Sequence, residues 1–155
     1  EEVPSLVDAC GERGIGDLRC IGAFGTSMGG FAVAGAMMRY PWIKAGAAFM
    51  GGGYFADAMT YVHSPCESEQ LNCLANLRDY DAQHHVAQLA GRALFLWHGA
   101  QDNVVSFRES ERLRDSLVAL KGAEHLSCII DPHGGHKITS PSVEAGVDFM
   151  RQHLQ

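Results

Sequence analysis

A serine stands at the centre of the first segment of this chain that could perform covalent chemistry. Residues 25–30 read Gly-Thr-Ser-Met-Gly-Gly, which places Ser27 in a G-x-S-x-G pattern. An apolar run over 18–24 precedes the pattern and a helix-like run over 31–39 follows it. Strand, G-x-S-x-G and helix in this order are typical of a nucleophile elbow, in which the serine hydroxyl attacks a carbonyl carbon.

The glycines of the pattern and the residue after the serine have separate expected tasks. In so sharp a turn, side chains at Gly25 and Gly29 would collide with the neighbouring strand or helix, so we expect glycine to be required at both positions. The N–H of Met28 opens the next helix, where it would bind the oxyanion that forms during attack. The competing interpretation is an ordinary strand-to-helix turn with no chemistry.

A nucleophilic serine also needs a base to accept its proton and an acid to orient that base. In a parallel sheet all three must lie at the carboxyl ends of strands, because the loops there share one rim. Asp102 satisfies this condition, since it follows the third apolar run at 93–97. Its alternative use is to cap a turn or a helix, which is common for aspartate.

The candidate base lies in the loop after the fourth apolar run, 126–130. That loop carries two histidines and a pair of glycines, and His136, directly after the glycines, is favoured over His133. The chain order is therefore Ser27, Asp102, His136, which is the serine, acid, histidine order expected of this architecture.

Apolar strand-like runs alternate with amphipathic helix-like runs along the whole chain. This alternation predicts an α/β fold with a parallel sheet covered by helices on both faces, in one domain over 1–155. The irregular stretch 54–90 is interpreted either as a small cap or lid insertion or as a plain surface excursion. We expect strands at 18–24, 44–50, 93–97 and 126–130, helices at 3–13, 31–39, 107–120 and 143–154, and short helical pieces around 55–61 and 76–89.

Composition excludes several classes of function. The net charge is −6 with no basic run, which argues against a nucleic-acid partner, and no apolar stretch is long enough to span a membrane. The five cysteines form no C-x-x-C pair, which favours reduced thiols and a cytoplasmic location. A zinc site at His63, Cys66 and Cys73 fits no standard spacing, so we expect no metal and no cofactor.

On these residues the chain resembles the α/β-hydrolase family, and within it the small bacterial carboxylesterases of the dienelactone-hydrolase and prolyl-oligopeptidase-like group. The resemblance covers nearly the whole chain. It implies that Ser27 is the nucleophile, His136 the general base and acid, and Asp102 its orienting acid, acting on a small-molecule ester. The segments that carry the resemblance are 25–30, 98–105 and 135–139, with support from 50–55 and 149–154.

The chain departs from that family in one respect. The family fold has several strands before the nucleophile strand, whereas here the first predicted strand, 18–24, carries the serine. We therefore expect the C-terminal part of such a fold, without its N-terminal strands and without the loop that supplies the second oxyanion donor. Loss of one donor costs roughly 10²–10³ in rate. The unpaired sheet edge would invite pairing with a second copy of the chain.

Two kinds of alternative function remain open. The same three residues could serve a peptidase, a thioesterase or an acyltransferase, or the chain could be a catalytically inactive hydrolase-like binding module. The remaining notable residues receive structural interpretations, with His98 as a turn residue at the rim and Phe95 and Trp97 as core.

Overall fold

A computed structural model describes residues 2–56 and 76–155. These residues contain a four-stranded parallel sheet in the order β1-β2-β3-β4, so strands that are consecutive along the chain are also neighbours in the sheet. The predicted α/β class is confirmed. The strands are β1 (Ile21–Thr26), β2 (Ile43–Phe49), β3 (Ala93–Gly99) and β4 (Leu126–Asp131).

Helices connect and flank the strands. The 3₁₀ helices Arg78–Tyr80 and Val86–Leu89 precede β3. No helix in the described part of the chain is long and apolar enough to cross a membrane. The α-helices are α1 (Glu2–Glu12), α2 (Met28–Arg39), α3 (Ala82–His85), α4 (Arg108–Ala119) and α5 (Ser140–His153).

Each face of the sheet buries its own apolar cluster, because successive side chains of a strand point to opposite faces. On one face Leu94 and Leu96 of β3 pack with residues of α2 and α4. On the other face Phe49, Phe95 and Trp97 pack against α5. Helices therefore cover both faces, as the sequence predicts, and Phe95 and Trp97 are core residues.

The first strand, β1, lies at the edge of the sheet. It begins at Ile21 rather than at residue 18, and it is only partly buried because β2 is its only neighbour in the described chain. This position agrees with the unpaired sheet edge expected from the sequence. Phe24 is 49% exposed although it also contacts the ring of Phe49.

The short helical pieces predicted around 76–89 are present as two 3₁₀ helices and α3. The segment breaks at Asp81, whose carboxylate accepts the N–H of Gln83 and so caps α3, while its other oxygen accepts the N–H of Ala56. This buried carboxylate ties the end of the Gly-rich segment 51–53 to the start of α3. Most of the predicted helical piece at 55–61, the interior of the predicted lid and the His63, Cys66, Cys73 cluster lie outside the described residues.

Candidate active site

Ser27 is the single residue between β1 and α2. Its backbone has φ 55° and ψ −121°, a left-handed conformation that costs a non-glycine residue about 1–3 kcal/mol. Backbone hydrogen bonds hold the conformation: the Ser27 N–H donates to the carbonyl of Phe49 at 2.8 Å, and the Ser27 carbonyl accepts from Gly30 at 2.8 Å. These contacts hold Ser27 at the carboxyl end of β1.

Around Ser27, glycine is required at position 25, as predicted, and at position 30 rather than at position 29. A Cβ at Gly25 would lie 2.1 Å from the carbonyl oxygen of Gly29, so Gly25 is needed as expected. A Cβ at Gly29 would meet nothing within 4 Å, so the expectation for Gly29 is wrong. It is Gly30 that packs tightly, since a Cβ there would approach the Phe49 carbonyl oxygen to 2.6 Å. The crowding involves the backbone of Gly29 but not its side-chain position.

Asp102 lies in the loop that follows β3, and its carboxylate is fully buried. One oxygen, Oδ1, accepts the N–H groups of Val104 at 2.8 Å and Val105 at 2.9 Å. Burial raises the pKa of this carboxyl, but the two N–H groups and the His136 imidazole outweigh it and hold the pKa below its usual value. Asp102 is therefore a charged acceptor with its second oxygen directed at His136.

His136 lies in the loop between β4 and α5, which is anchored at both ends. On one side a Cβ at Gly99 would lie 2.3 Å from the backbone of Gly134, and the N–H of Gln101 donates to the Gly134 carbonyl at 2.8 Å. On the other side Thr139 forms a capping box with Ser142 at the start of α5. These contacts fix the loop against the segment that carries Asp102.

The three predicted side chains meet in one hydrogen-bonded chain, here called the candidate triad. His136 Nδ1 lies 2.7 Å from Asp102 Oδ2, and His136 Nε2 lies 3.0 Å from Ser27 Oγ. In neutral His136 the Nδ1–H donates to the carboxylate, which leaves Nε2 to accept from the serine hydroxyl. His133 is exposed on the same loop, and its N–H donates to Asp131.

Met28 is the first residue of α2. The N–H groups of the first helical turn have no acceptor within the helix, so the Met28 N–H can donate a hydrogen bond to an acceptor outside it. Its side chain is 69% exposed.

The sequence of this chain matches a known protein family over nearly its whole length. The model of the prolyl oligopeptidase family, Peptidase_S9, matches residues 2–155. The chain belongs to this family. It is 36% identical over 137 aligned residues to an esterase of Escherichia coli named YjfP, across 84% of this chain and 55% of the relative. It is 29% identical over 168 aligned positions to YitV of Bacillus subtilis, across 99% of this chain and 65% of that protein.

Solved structures share the fold at lower sequence identity. A puromycin-hydrolysing peptidase of Mycobacterium tuberculosis superposes with a TM-score of 0.70 at 20% identity, over 96% of this chain and 24% of the other. A cold-adapted esterase from an Arctic intertidal metagenomic library gives 0.66 at 17% identity, over 98% of this chain and 56% of the other. Both curated relatives are also longer, since this chain spans 55% and 65% of their lengths.

A second group of polar residues, not predicted from the sequence, lies behind Asp102. His98 is not a turn residue at the rim, because it lies within β3 and is fully buried. Its ring contacts the hydroxyl of Ser110 at 2.8 Å and the carbonyl of Val105 at 3.0 Å. The sequence did offer one sign of this group, because a histidine at the end of a wholly apolar strand is expected to be buried. A buried polar ring needs hydrogen-bond partners nearby.

Among residues 2–56 and 76–155, no group of three or more His, Cys, Asp or Glu side chains is arranged to hold a metal ion.

Proposed function

We propose that this chain carries the catalytic triad of a serine hydrolase that cleaves small carboxylic esters through an acyl-enzyme. The observation that supports the proposal is the continuous hydrogen-bonded chain from Ser27 Oγ through His136 to Asp102 Oδ2. It joins a hydroxyl, a proton acceptor and a buried carboxylate in the order that nucleophilic catalysis requires.

The reaction proceeds in two steps. His136 Nε2 takes the Ser27 proton while Oγ attacks the ester carbonyl, and Asp102 stabilises the imidazolium that forms. The Met28 N–H donates to the tetrahedral oxyanion. His136 then gives the proton to the departing alcohol, which leaves Ser27 acylated. A water molecule then loses a proton to His136 and attacks the acyl group. The bond between the acyl group and Ser27 Oγ breaks, His136 returns the proton to Oγ, and the carboxylic acid is released.

An apolar ester fits the surroundings of the candidate triad. Each of its residues is followed within two positions by an exposed apolar side chain: Met28 (69% exposed), Val104 (66%) and Ile138 (36%). These side chains could cover the acyl or alcohol group of a substrate and exclude water from it. The relative YjfP is named an esterase, which supports an ester as the substrate.

Covalent labelling of Ser27 tests the proposal. The chain is treated with a fluorophosphonate probe, and the peptide containing Ser27 is analysed by mass spectrometry. We expect an adduct on Ser27 that disappears after heat denaturation and in Ser27→Ala, while Ser106→Ala, which removes an exposed serine outside the triad, labels normally. Asp102→Asn should label slower by about 10⁴-fold, because the imidazole loses the carboxylate that orients it.

Two results would count against the proposal. Absence of any adduct on folded wild-type chain would favour the inactive binding module. Labelling without turnover of p-nitrophenyl acetate, but with turnover of a peptide anilide or a thioester, would assign the same residues to a peptidase or a thioesterase.

A further inference from the structure

We infer that His98 is a positioning residue: it fixes Asp102 and links the loop that carries Asp102, here called the acid loop, to the turn of Ser27. This inference rests on the proposed function. His98 touches none of the reacting atoms. It acts through Val105 and Asp102 on one side of its ring and through Ser110 on the other.

The Nε2 side of the ring holds the acid loop. Nε2 lies 3.0 Å from the carbonyl of Val105 and 3.4 Å from Asp102 Oδ2. Both partners are acceptors, so Nε2 carries the proton. The N–H of Val105 donates in turn to Asp102 Oδ1 at 2.9 Å. The backbone of Val105 is thus held by His98 through its carbonyl and by Asp102 through its amide, which fixes the loop and the carboxylate together.

The Nδ1 side of the ring reaches the nucleophile turn. The hydroxyl of Ser110, near the start of α4, lies 2.8 Å from Nδ1 and 2.6 Å from the carbonyl of Gly51. With the ring proton on Nε2, both of these atoms are acceptors, and the single Ser110 proton is donated to one or the other at a time. Gly51 packs closely on the first turn of α2, since a Cβ there would lie 2.6 Å from the carbonyl carbon of Gly30. The N–H of Gly30 donates to the Ser27 carbonyl.

These contacts form a second connection between the acid and the nucleophile that does not pass through His136. The route runs from Asp102 through His98, Ser110, Gly51 and Gly30 to Ser27. Both His98 and Ser110 are fully buried, so no water competes for these hydrogen bonds. Such a connection fixes the separation of Ser27 and Asp102 to which the His136 ring must fit.

The electrostatics agree with a positioning role. Burial lowers the pKa of His98, and the Val105 carbonyl and the Asp102 carboxylate offset this only in part. A neutral His98 places no cation beside Asp102, so the negative charge of Asp102 remains available to the imidazolium of His136.

Two amide substitutions distinguish the two sides of the ring. In His98→Gln the amide nitrogen can reach the position of Nε2 and donate to Val105, whereas in His98→Asn the shorter amide reaches only the position of Nδ1. We expect His98→Asn to lower kcat roughly 10- to 100-fold with KM within about twofold, because misplacement of a catalytic group affects chemistry more than binding. His98→Gln should recover the part of that loss that comes from the Val105 contact, and its remaining loss should match that of Ser110→Ala, because both variants lack the contact between Nδ1 and Ser110.

A matched pair of serines in α4 tests the link to Gly51. Ser110→Ala should lower kcat. Ser116 lies in the same helix, and its hydroxyl also donates to a backbone carbonyl, but it contacts Tyr54 and no residue of the route to Ser27. The kcat of Ser116→Ala should therefore stay at the wild-type value. Circular dichroism of each variant confirms that it is folded.

A proton NMR measurement gives a readout that needs no turnover. The downfield Nδ1–H resonance of His136 reports its hydrogen bond to Asp102. It should shift or broaden most in His98→Asn, less in Ser110→Ala and His98→Gln, and remain unchanged in Ser116→Ala. Unlabelled wild-type Ser27 would overturn the proposed function, and this resonance would still test the positioning role. Folded His98→Asn and Ser110→Ala chains with an unchanged resonance, or equal effects of Gln and Asn, would overturn the inference about His98.

Discussion

The three side chains of the candidate triad are held to different degrees. The Asp102 carboxylate has no exposed surface and accepts two backbone N–H groups in addition to His136. His136 is 23% exposed and has one polar partner on each ring nitrogen. The acid is therefore held by more hydrogen bonds than the imidazole, which contacts Asp102 and Ser27 at the same time.

The depressed pKa of Asp102 predicts a specific dependence of stability on pH. A carboxyl whose pKa is lower in the folded than in the unfolded state, where it is about 3.9, stabilises the fold above that value. This contribution is lost as the pH falls through the folded-state pKa. The free energy of unfolding should therefore differ between wild type and Asp102→Asn by a constant amount above about pH 5, and by progressively less below about pH 4.

Urea unfolding at several pH values measures this difference. Asp115→Asn serves as the control, because Asp115 is an exposed partner of Arg114 and surface ion pairs contribute little. A gap between wild type and Asp102→Asn that stays constant down to pH 3 would contradict the prediction.

At the scale of elements, the turn between β1 and α2 is formed by close backbone contact. The last residues of β1 approach the first turn of α2 so closely that Gly25 meets the carbonyl of Gly29, and Gly30 meets the end of β2 at Phe49. Backbone atoms cannot move aside as a flexible side chain can, so the position of Ser27 depends on the missing Cβ atoms at Gly25 and Gly30.

A pair of glycine substitutions tests this packing. Gly25→Ala should destabilise the chain by about 1–3 kcal/mol and abolish probe labelling of Ser27, because the added methyl group overlaps the Gly29 carbonyl. Gly29→Ala should change stability by no more than about 0.5 kcal/mol, because its Cβ meets open space. Urea unfolding and labelling of both variants provide the measurement. Equal loss in the two variants would show that the turn is not limited by this contact.

At the scale of the whole molecule, β1 exposes both the backbone groups of a sheet edge and an apolar side chain. It carries the nucleophile turn yet lies at the sheet edge, with Phe24 49% exposed. An edge strand with apolar side chains offers unpaired backbone groups to another chain. We propose that a second copy of the chain pairs with this edge in solution.

Sedimentation tests this self-association. The wild-type chain should sediment increasingly as a dimer as its concentration rises, and Phe24→Lys should shift it to monomer, because charge on an edge strand opposes pairing. Val118→Lys removes an apolar side chain of similar exposure (56%) from α4 and should leave the dimer intact. A wild-type chain that remains monomeric at every concentration would contradict the proposal.

Much of the candidate site could be predicted from short segments of sequence. The Gly25 to Gly29 pattern, the position of Asp102 after an apolar run and the choice of His136 over His133 each depend on residues close together in the chain. Parallel strands bring their following loops to one rim, so three local signals sufficed to place Ser27, Asp102 and His136 together.

Other features depended on contacts between residues far apart in sequence. The demand for glycine at Gly30 rather than at Gly29 follows from the approach of β2 to the first turn of α2. The contact of Ser110 with Gly51 joins residues 59 positions apart, and it gives His98 its place behind the acid. Local sequence determined which groups could react, while tertiary packing decided what holds them, because burial and close approach exist only once distant segments have met.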